Sequence, residues 1–303
     1  MTGDPTGVDV ATETFVAHRN LLFTVAYEVL GSASDAEDVL QETWLRWVGV
    51  DRAQVRDARA YLIRITTRQA LNRLRTAKRR RETYVGPWLP EPLMTTPDVA
   101  EDVELAETLS MAMMLVLETL SPTERAVFLL RDVFDVGYDE IAAAVDKTPS
   151  AVRQVASRAR RHVDERRPRD VVPASRTRAA LASFQHAVET GDLQGLMDVL
   201  APDVVLLADG GGKAQAVPRP IVSADKVARL ILGGIGRAAR LGVAVTAEPT
   251  VVNGSPALLI RSSGELDGVL TARLEDGRLA GLYYVRNPDK LSWLERRTAL
   301  TLH

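Results

Sequence analysis

Residues 138–163 read YDEIAAAVDKTPSAVRQVASRARRHV, two short amphipathic segments with a break between them. In the first, Ile141, Ala142 and Val145 share one helical face, and the small Ala143 and Ala144 let a second helix pack close. The break is Asp146-Lys147-Thr148. Asp is one of the few side chains that tolerate a left-handed backbone, so Asp146 can end the first helix. Thr148 is then the cap of a second helix and Pro149 its first residue, where a missing N–H costs nothing. In that helix Val152, Val155, Ala159 and Val163 form the buried stripe. Ser150, Arg153, Gln154, Ser157, Arg158, Arg160 and Arg161 are left outside. The pattern is a helix-turn-helix whose second helix carries the donors that read base edges: Arg pairs bidentately with guanine, Gln with adenine, and Ser reaches phosphate. The bland alternative is a basic hairpin that packs on another protein.

Working outward, the 303 residues with 46% hydrophobic content suffice for two or three modules, each with a core. The net charge of -2 conceals segregation: residues 91–107 carry six acids and no base, while twelve Lys or Arg fall between Arg46 and Arg81 against two acids, Asp51 and Asp57. A chain that binds polyanions needs a basic patch, not a basic total. Without Cys there is no disulfide framework, thiolate metal site or Cys nucleophile, and His18, His162, His186 and His303 have no ligand spacing. No metal, cofactor or catalytic residue is expected. The N-terminus lacks a charged segment followed by an apolar run, and no stretch approaches a membrane span, so the expected location is cytoplasmic.

Upstream, apolar residues at helical spacing place a helix over Thr14–Leu30, stopped by Gly31, and Ser34 with Glu37 forms a capping box for the next, Asp35–Val48. That second helix crowds Asp35, Glu37, Asp38, Gln41 and Glu42 into its first half and places Val39, Leu40, Thr43, Trp44 and Trp47 among them. A loop over 49–57 leads to a third helix, Ala58–Thr83, with Tyr61, Leu62, Ile65, Ala70, Leu71 and Leu74 inward. Arg64, Arg68, Asn72, Arg73, Arg75 and the run Lys78-Arg79-Arg80-Arg81 lie on its other face, an imbalance that favours a polyanion over a salt-bridged solvated surface.

The runs DAEDVLQETWLRWV and RAYLIRITTRQALNRLRTAKRRRE resemble region 2 of bacterial sigma factors of the extracytoplasmic-function group, and Leu120–Val163 resembles their region 4. The resemblance implies that Asp35, Asp38, Gln41, Glu42 and Trp44 dock on the clamp helices of the largest subunit of RNA polymerase core, with region 4 at its flap region. It assigns Arg64, Arg68, Asn72 and Arg73 to the −10 promoter element, and Ser150, Arg153, Gln154, Ser157 and Arg158 to the −35 element. Asp146 departs from the Gly usual at this turn.

Between the modules, residues 84–100 contain four Pro and one Gly, which favours an extended linker without regular structure. Trp88, Leu89 and Pro90 are too apolar for a free linker; they dock on a neighbouring surface or form a local staple. Two helices follow, one through Leu105, Leu109, Met113 and Leu117, with Met111, Met113 and Met114 as core filling, the other through Val127, Leu130 and Val133 after Ser121-Pro122. Residues 166–173 read as a hinge.

Beyond it the pattern changes to helices over 176–190 and 192–200, a strand over 204–208, a Gly-rich turn, a helix over 224–232, and strands near Val243, Val251, Ala257, Val269 and 279–285. This order predicts an α+β cone and is similar to the SnoaL-like, or NTF2-like, superfamily, whose pocket serves enzymes in some members and only binds ligands or partners in others. The turn Asp209-Gly210-Gly211-Gly212-Lys213 is not a P-loop, since no Ser or Thr follows the Lys at a helix start. Sigma factors of this group with a fused SnoaL-like domain carry WLPEP, DGGGK and NPDKL, found here at 88–92, 209–213 and 287–291. The chain therefore resembles the sigma-J type, with region 2 over 10–83, a linker over 84–100, region 4 over 101–168 and a regulatory domain over 174–291. Trp88, Leu89, Pro90, the turn 209–213 and the tail Asn287, Pro288, Asp289, Lys290 and Leu291 are its expected docking contacts, Pro and Leu packing while Asp289 and Lys290 meet charges. A ligand for that domain is left open. Two other functions fit parts of the sequence: a ligand-responsive DNA-binding regulator acting without polymerase, and an enzyme using Asp209, Asp267, His186 or Tyr283.

Overall fold

The computed structural model describes residues 5–95, 108–167, 172–295, 297–298 and 300. Leu105, the linker residues 96–100 and residues 168–171 of the expected hinge lie outside them. The chain forms two compact units, one of residues 1–82, 116–166 and 299–303, the other of 83–115 and 167–298.

The first unit is helical. α1 (Pro5–Leu30) ends at Gly31, whose φ of 67° lets the chain leave the helix. α2 (Ala33–Val48) starts earlier than the sequence suggests, because the cap is Ser32 and not Ser34: Ser32 is extended and its hydroxyl accepts from the Asp35 N–H. Glu37 is drawn to Arg19 at 2.6 Å instead of closing a capping box. α3 (Ala58–Arg81) buries Leu62, Leu71 and Leu74 as expected, and also Ile63, Thr66 and Thr67, while Tyr61 and Ile65 stay half-buried. The Trp47 indole is buried and donates to the Ala11 carbonyl at 3.0 Å, tying α2 to α1. α4 (Met111–Glu118) is divided between the units: its buried Met residues belong to the second and residues 116–118 to the first, in which α5 (Pro122–Phe128) opens with a Ser121–Glu124 capping box. The single helix expected through Val133 changes instead to a π turn over Leu129–Val133, in which the Phe134 N–H reaches the Leu129 carbonyl.

α6 (Tyr138–Val145) and α7 (Pro149–Asp164) are the helix-turn-helix. Asp146 takes φ 60°, ψ 51°, the left-handed conformation its place in the turn requires, and the Thr148 hydroxyl accepts from the Ala151 N–H. Ala144 packs inward, but Ala143 is exposed.

The second unit places α8 (Ala174–Thr190), α9 (Leu193–Val199) and α10 (Ala224–Arg240) with one mixed sheet. Its strands are β1 (Met94–Thr95), β2 (Leu200–Asp209), β3 (Ile221–Val222), β4 (Val245–Val252), β5 (Ser255–Ser262), β6 (Glu265–Glu275), β7 (Arg278–Val285) and β8 (Arg297–Thr298), in the order β3-β2-β7-β6-β5-β4-β1-β8. The fold is α+β, as expected, with three departures. Val251 lies in β4 and Val243 just before it, so they do not mark two strands. α10 runs through Gly233, Gly234 and Gly236 to Arg240. The linker is not structureless throughout: Met94 pairs with Val252. One core sits between helices and sheet around Leu181, Phe184, Leu196 and Leu282. A second gathers Leu89, Val252, Val269, Tyr283, Val285 and Leu291.

Candidate nucleic-acid interface

α7 presents the face that its sequence pattern requires. Val152, Val155, Ala156, Ala159 and Val163 are buried, and Ser150, Arg153, Gln154, Ser157 and Arg158 are all exposed. The Arg153 guanidinium lies 5.4 Å from the Tyr138 ring centre, which restrains the side chain while leaving its donors outward. Arg160, on the flank, is tied to Asp132 at 2.5 Å and to the Tyr138 hydroxyl, so it belongs to the helix packing more than to the outer face.

On α3, Arg64, Arg68 and Asn72 recur every fourth residue. Arg64 stacks 4.7 Å from the Tyr61 ring centre, and Arg68 approaches Asp146 at 3.9 Å. A cleft of about 420 Å³ is lined by Arg46, Tyr61, Arg64, Ile65, Arg68, Gln69 and Ala143. Three guanidiniums thus face one cavity within the helical unit. Arg73 does not join them: it is bound to Asp35 and Asp38 of α2, with Glu42 at 3.8 Å. Gln41 and Trp44, with Asp38, line a second groove of about 320 Å³ together with Phe15, Arg19, Glu37 and Leu40. Leu45, which the sequence pattern did not single out, is 71% exposed on the same helix.

α3, α4 and α5 meet through buried charge that sequence reasoning missed. Glu118 accepts from both Arg81 and Arg125; Arg125, fully buried, also donates to the Glu28 carbonyl at 2.8 Å. Arg81 donates to the Leu30 carbonyl at 2.6 Å and Lys78 to that of Leu120 at 2.7 Å. Burial alone raises the Glu118 carboxyl, but the two guanidiniums overcome it and hold the group below the ordinary carboxylate range. Burial lowers Arg81 and Lys78.

In the second unit the three short motifs converge on Asp209, a fully buried carboxylate. It accepts from the Tyr84 hydroxyl at 2.6 Å, from the Leu89 N–H at 2.8 Å and from Lys290 at 2.7 Å, and Lys290 also reaches the Leu89 carbonyl at 2.5 Å. The Lys290 ammonium lies 4.3 Å from the Trp88 ring centre and 4.9 Å from that of Tyr84. Asn287 donates to the Tyr84 hydroxyl at 2.8 Å. Burial first, then the bond to Asp209, raises the Tyr84 phenol, which therefore stays a donor. The glycines are explained by space: a Cβ on Gly211 would lie 2.3 Å from the Asn287 amide nitrogen, on a backbone at φ 58°. Lys213 pairs with Asp289 at 2.6 Å at the surface, Leu291 packs in the second core, and Pro288 is exposed. The linker is held a second time by Asn253, whose side chain accepts from the Leu93 N–H and donates to the Leu109 carbonyl. Leu89 and Pro90 are buried and Trp88 half-buried, so the apolar linker docks.

The candidate acid–base groups of this unit do not share partners. Asp209 belongs to the linker seat, Asp267 is held by Tyr284 and Arg286, Tyr283 is buried beside Arg273, and His186 is exposed. Among the described residues no cluster of His, Cys, Asp or Glu is arranged to hold a metal, and no helix is long and apolar enough to cross a membrane.

Residues 14–80 match the Sigma-70 region 2 family and residues 110–163 the Sigma-70, region 4 family. The chain is 36% identical over 291 residues to the ECF RNA polymerase sigma factor SigJ of Mycobacterium tuberculosis, covering 92% of each. It is 31% identical over 286 residues to the "Probable ECF RNA polymerase sigma factor SigI" of the same species, covering 93% of this chain and 95% of that one. The crystal structure of M. tuberculosis SigJ superposes with a TM-score of 0.75 at 34% identity, covering 93% of this chain and 99% of the other.

Proposed function

The chain belongs to the extracytoplasmic-function RNA polymerase sigma factors, and from that membership we propose which of its surfaces perform each part of promoter recognition and what the C-terminal unit adds. The outer face of α7 reads the −35 element: Arg153 and Gln154 reach base edges, while Ser150, Ser157 and Arg158 set the register on the phosphates. Arg64, Arg68 and Asn72 on α3 contact the −10 element. Asp35, Asp38, Gln41, Glu42 and Trp44 meet the clamp helices of polymerase core, and region 4 its flap region. The protein acts in the cytoplasm as a binding subunit and not as an enzyme.

The observation that carries the reading is the division of α7. Every apolar side chain of its stripe is buried, and the five polar residues that match base and phosphate chemistry all remain exposed on one face. Run-off transcription with reconstituted core polymerase across a genomic promoter library tests it. Arg153→Ala should weaken promoters by about 1–3 kcal/mol at one −35 position, as the loss of one bidentate base contact does. Specific promoter binding that needs no polymerase would favour the regulator reading. Equal loss at every −35 base would remove Arg153 from base recognition.

The C-terminal unit regulates in cis by holding the linker. Residues 84–95, the described part of the 84–100 linker between α3 and region 4, are seated on Asp209, Lys290 and Asn253, which limits how far that linker can extend. Releasing it lets the linker extend once the Arg81–Glu118–Arg125 contact between regions 2 and 4 opens, and so changes the promoters they can span. Trp88→Ala should shift transcription from the cognate promoter in the same direction as deletion of residues 170–303; no change in either variant would make the domain a passenger.

A further inference from the structure

Arg73 stands apart from the residues with which its sequence position groups it. At about 100° per residue, Arg64, Arg68 and Asn72 span roughly 80° of the helix circumference, whereas Arg73 falls roughly 180° from Arg64. It points to α2. Its Nε donates to Asp35 at 2.7 Å, a second nitrogen binds Asp38, and Glu42 lies at 3.8 Å. Its side chain is 28% exposed, against 58% for Arg68. Asp35, Asp38 and Glu42 repeat at three and four residues along α2, so without a counter-ion these like charges repel and turn apart into solvent. A planar guanidinium binds two carboxylates at fixed angles, which an ammonium does not. Asp38 and Glu42 are each about half exposed, and Asp38 lines the groove shared with Phe15, Leu40 and Trp44.

We propose that Arg73 is a positioning residue for polymerase docking and not a promoter contact: it gathers the α2 carboxylates into one fixed acceptor surface for basic side chains of the core enzyme. This rests on the reading of α2 as the polymerase surface. In the bound state Arg73 keeps Asp35, the least exposed of the three, while Asp38 and Glu42 use their remaining lone pairs for the partner.

The test uses the full chain, core RNA polymerase and a cognate promoter. Arg73→Gln should lose about ten-fold in core affinity, the equivalent of one charge-assisted contact, and should form open complexes as the wild type does once core binding is saturated. Arg73→Lys, which keeps the charge and loses the fork, should fall between the two. Unchanged or tighter core binding by Arg73→Gln overturns the inference. So does a deficit in open complexes at saturating core, which would make Arg73 a DNA contact, and so does a Lys variant equal to wild type. If circular dichroism shows that Arg73→Gln unfolds, Asp35→Ala removes the acceptor at the buried end and should give the same loss; no loss in that variant overturns the inference. Asp38→Lys separates the two levels. If it retains core affinity, the reading of α2 itself fails; if it loses affinity while Arg73→Gln does not, only the role of Arg73 fails.

Discussion

The two units each contain a buried carboxylate that holds together segments far apart in the chain, and the two are built on different partners. Glu118 sits between two guanidiniums, while Asp209 meets one ammonium and is completed by a phenol and a backbone N–H. In the first, three helical side chains carry the load. In the second, a segment without regular structure is recognised through its own backbone, at Leu89, by a site that also offers two aromatic faces to the lysine. A site of the first kind suits helices with fixed axes; a site of the second kind suits an extended strap, whose peptide groups are its only regular feature.

The largest effect should come from Glu118→Gln, which removes the carboxylate that accepts from both Arg81 and Arg125. A loss of about 3–5 kcal/mol is expected in urea denaturation followed by helical circular dichroism. A loss under 1 kcal/mol would mean that the helices, not the charge, hold regions 2 and 4. Lys290→Met should cost somewhat less, about 3 kcal/mol, because Asp209 keeps two donors. Its readout is amide hydrogen exchange, in which Leu89 and Leu93 should lose protection together. Loss at Leu89 alone would show that Asn253 holds its part of the strap independently.

Gly211→Ala forces a Cβ against Asn287 on a left-handed backbone and should destabilise the second unit by about 1–3 kcal/mol, measured as a lowered midpoint. The smallest signal is in pH. The folded-state value of Glu118 is depressed, so its contribution is complete above the ordinary carboxylate range and is lost as pH falls through the folded value. Acid titration of the helical unit should therefore steepen below that range, and Glu118→Gln should flatten the curve.

How far each centre was legible follows from the same difference. The Asp209 site could be found because its members fall in three compact motifs, Trp88–Pro92, Asp209–Lys213 and Asn287–Leu291. Tyr84 was missed because it lies outside them. The Glu118 site gave no signal: a lone Glu ending a Met-rich helix and an Arg in the next helix look like ordinary surface charge until packing brings them to Arg81. The helix-turn-helix was readable because turn chemistry at Asp146 and Thr148 is local. Arg73 was misgrouped for the converse reason. A run of bases along α3 shows charge density, but which bases face outward depends on where α2 lies. The early start of α2 had a local cause, since the left-handed Gly31 makes Ser32, and not Ser34, the extended residue before the helix.

The seat of Leu89 also sets an order of events during synthesis. The backbone of Leu89 is held by Lys290, 201 positions later. At ribosomal speeds of about 5–20 residues per second, roughly 10–40 s separate the appearance of the two. In the later part of that interval, once residue 168 has been made, all of regions 2 and 4 has been translated while Trp88 and Leu89 still await Lys290. A nascent chain at that stage carries complete promoter-reading helices and an uncovered apolar strap, so the pace of translation over the last hundred residues determines how long the sticky intermediate persists.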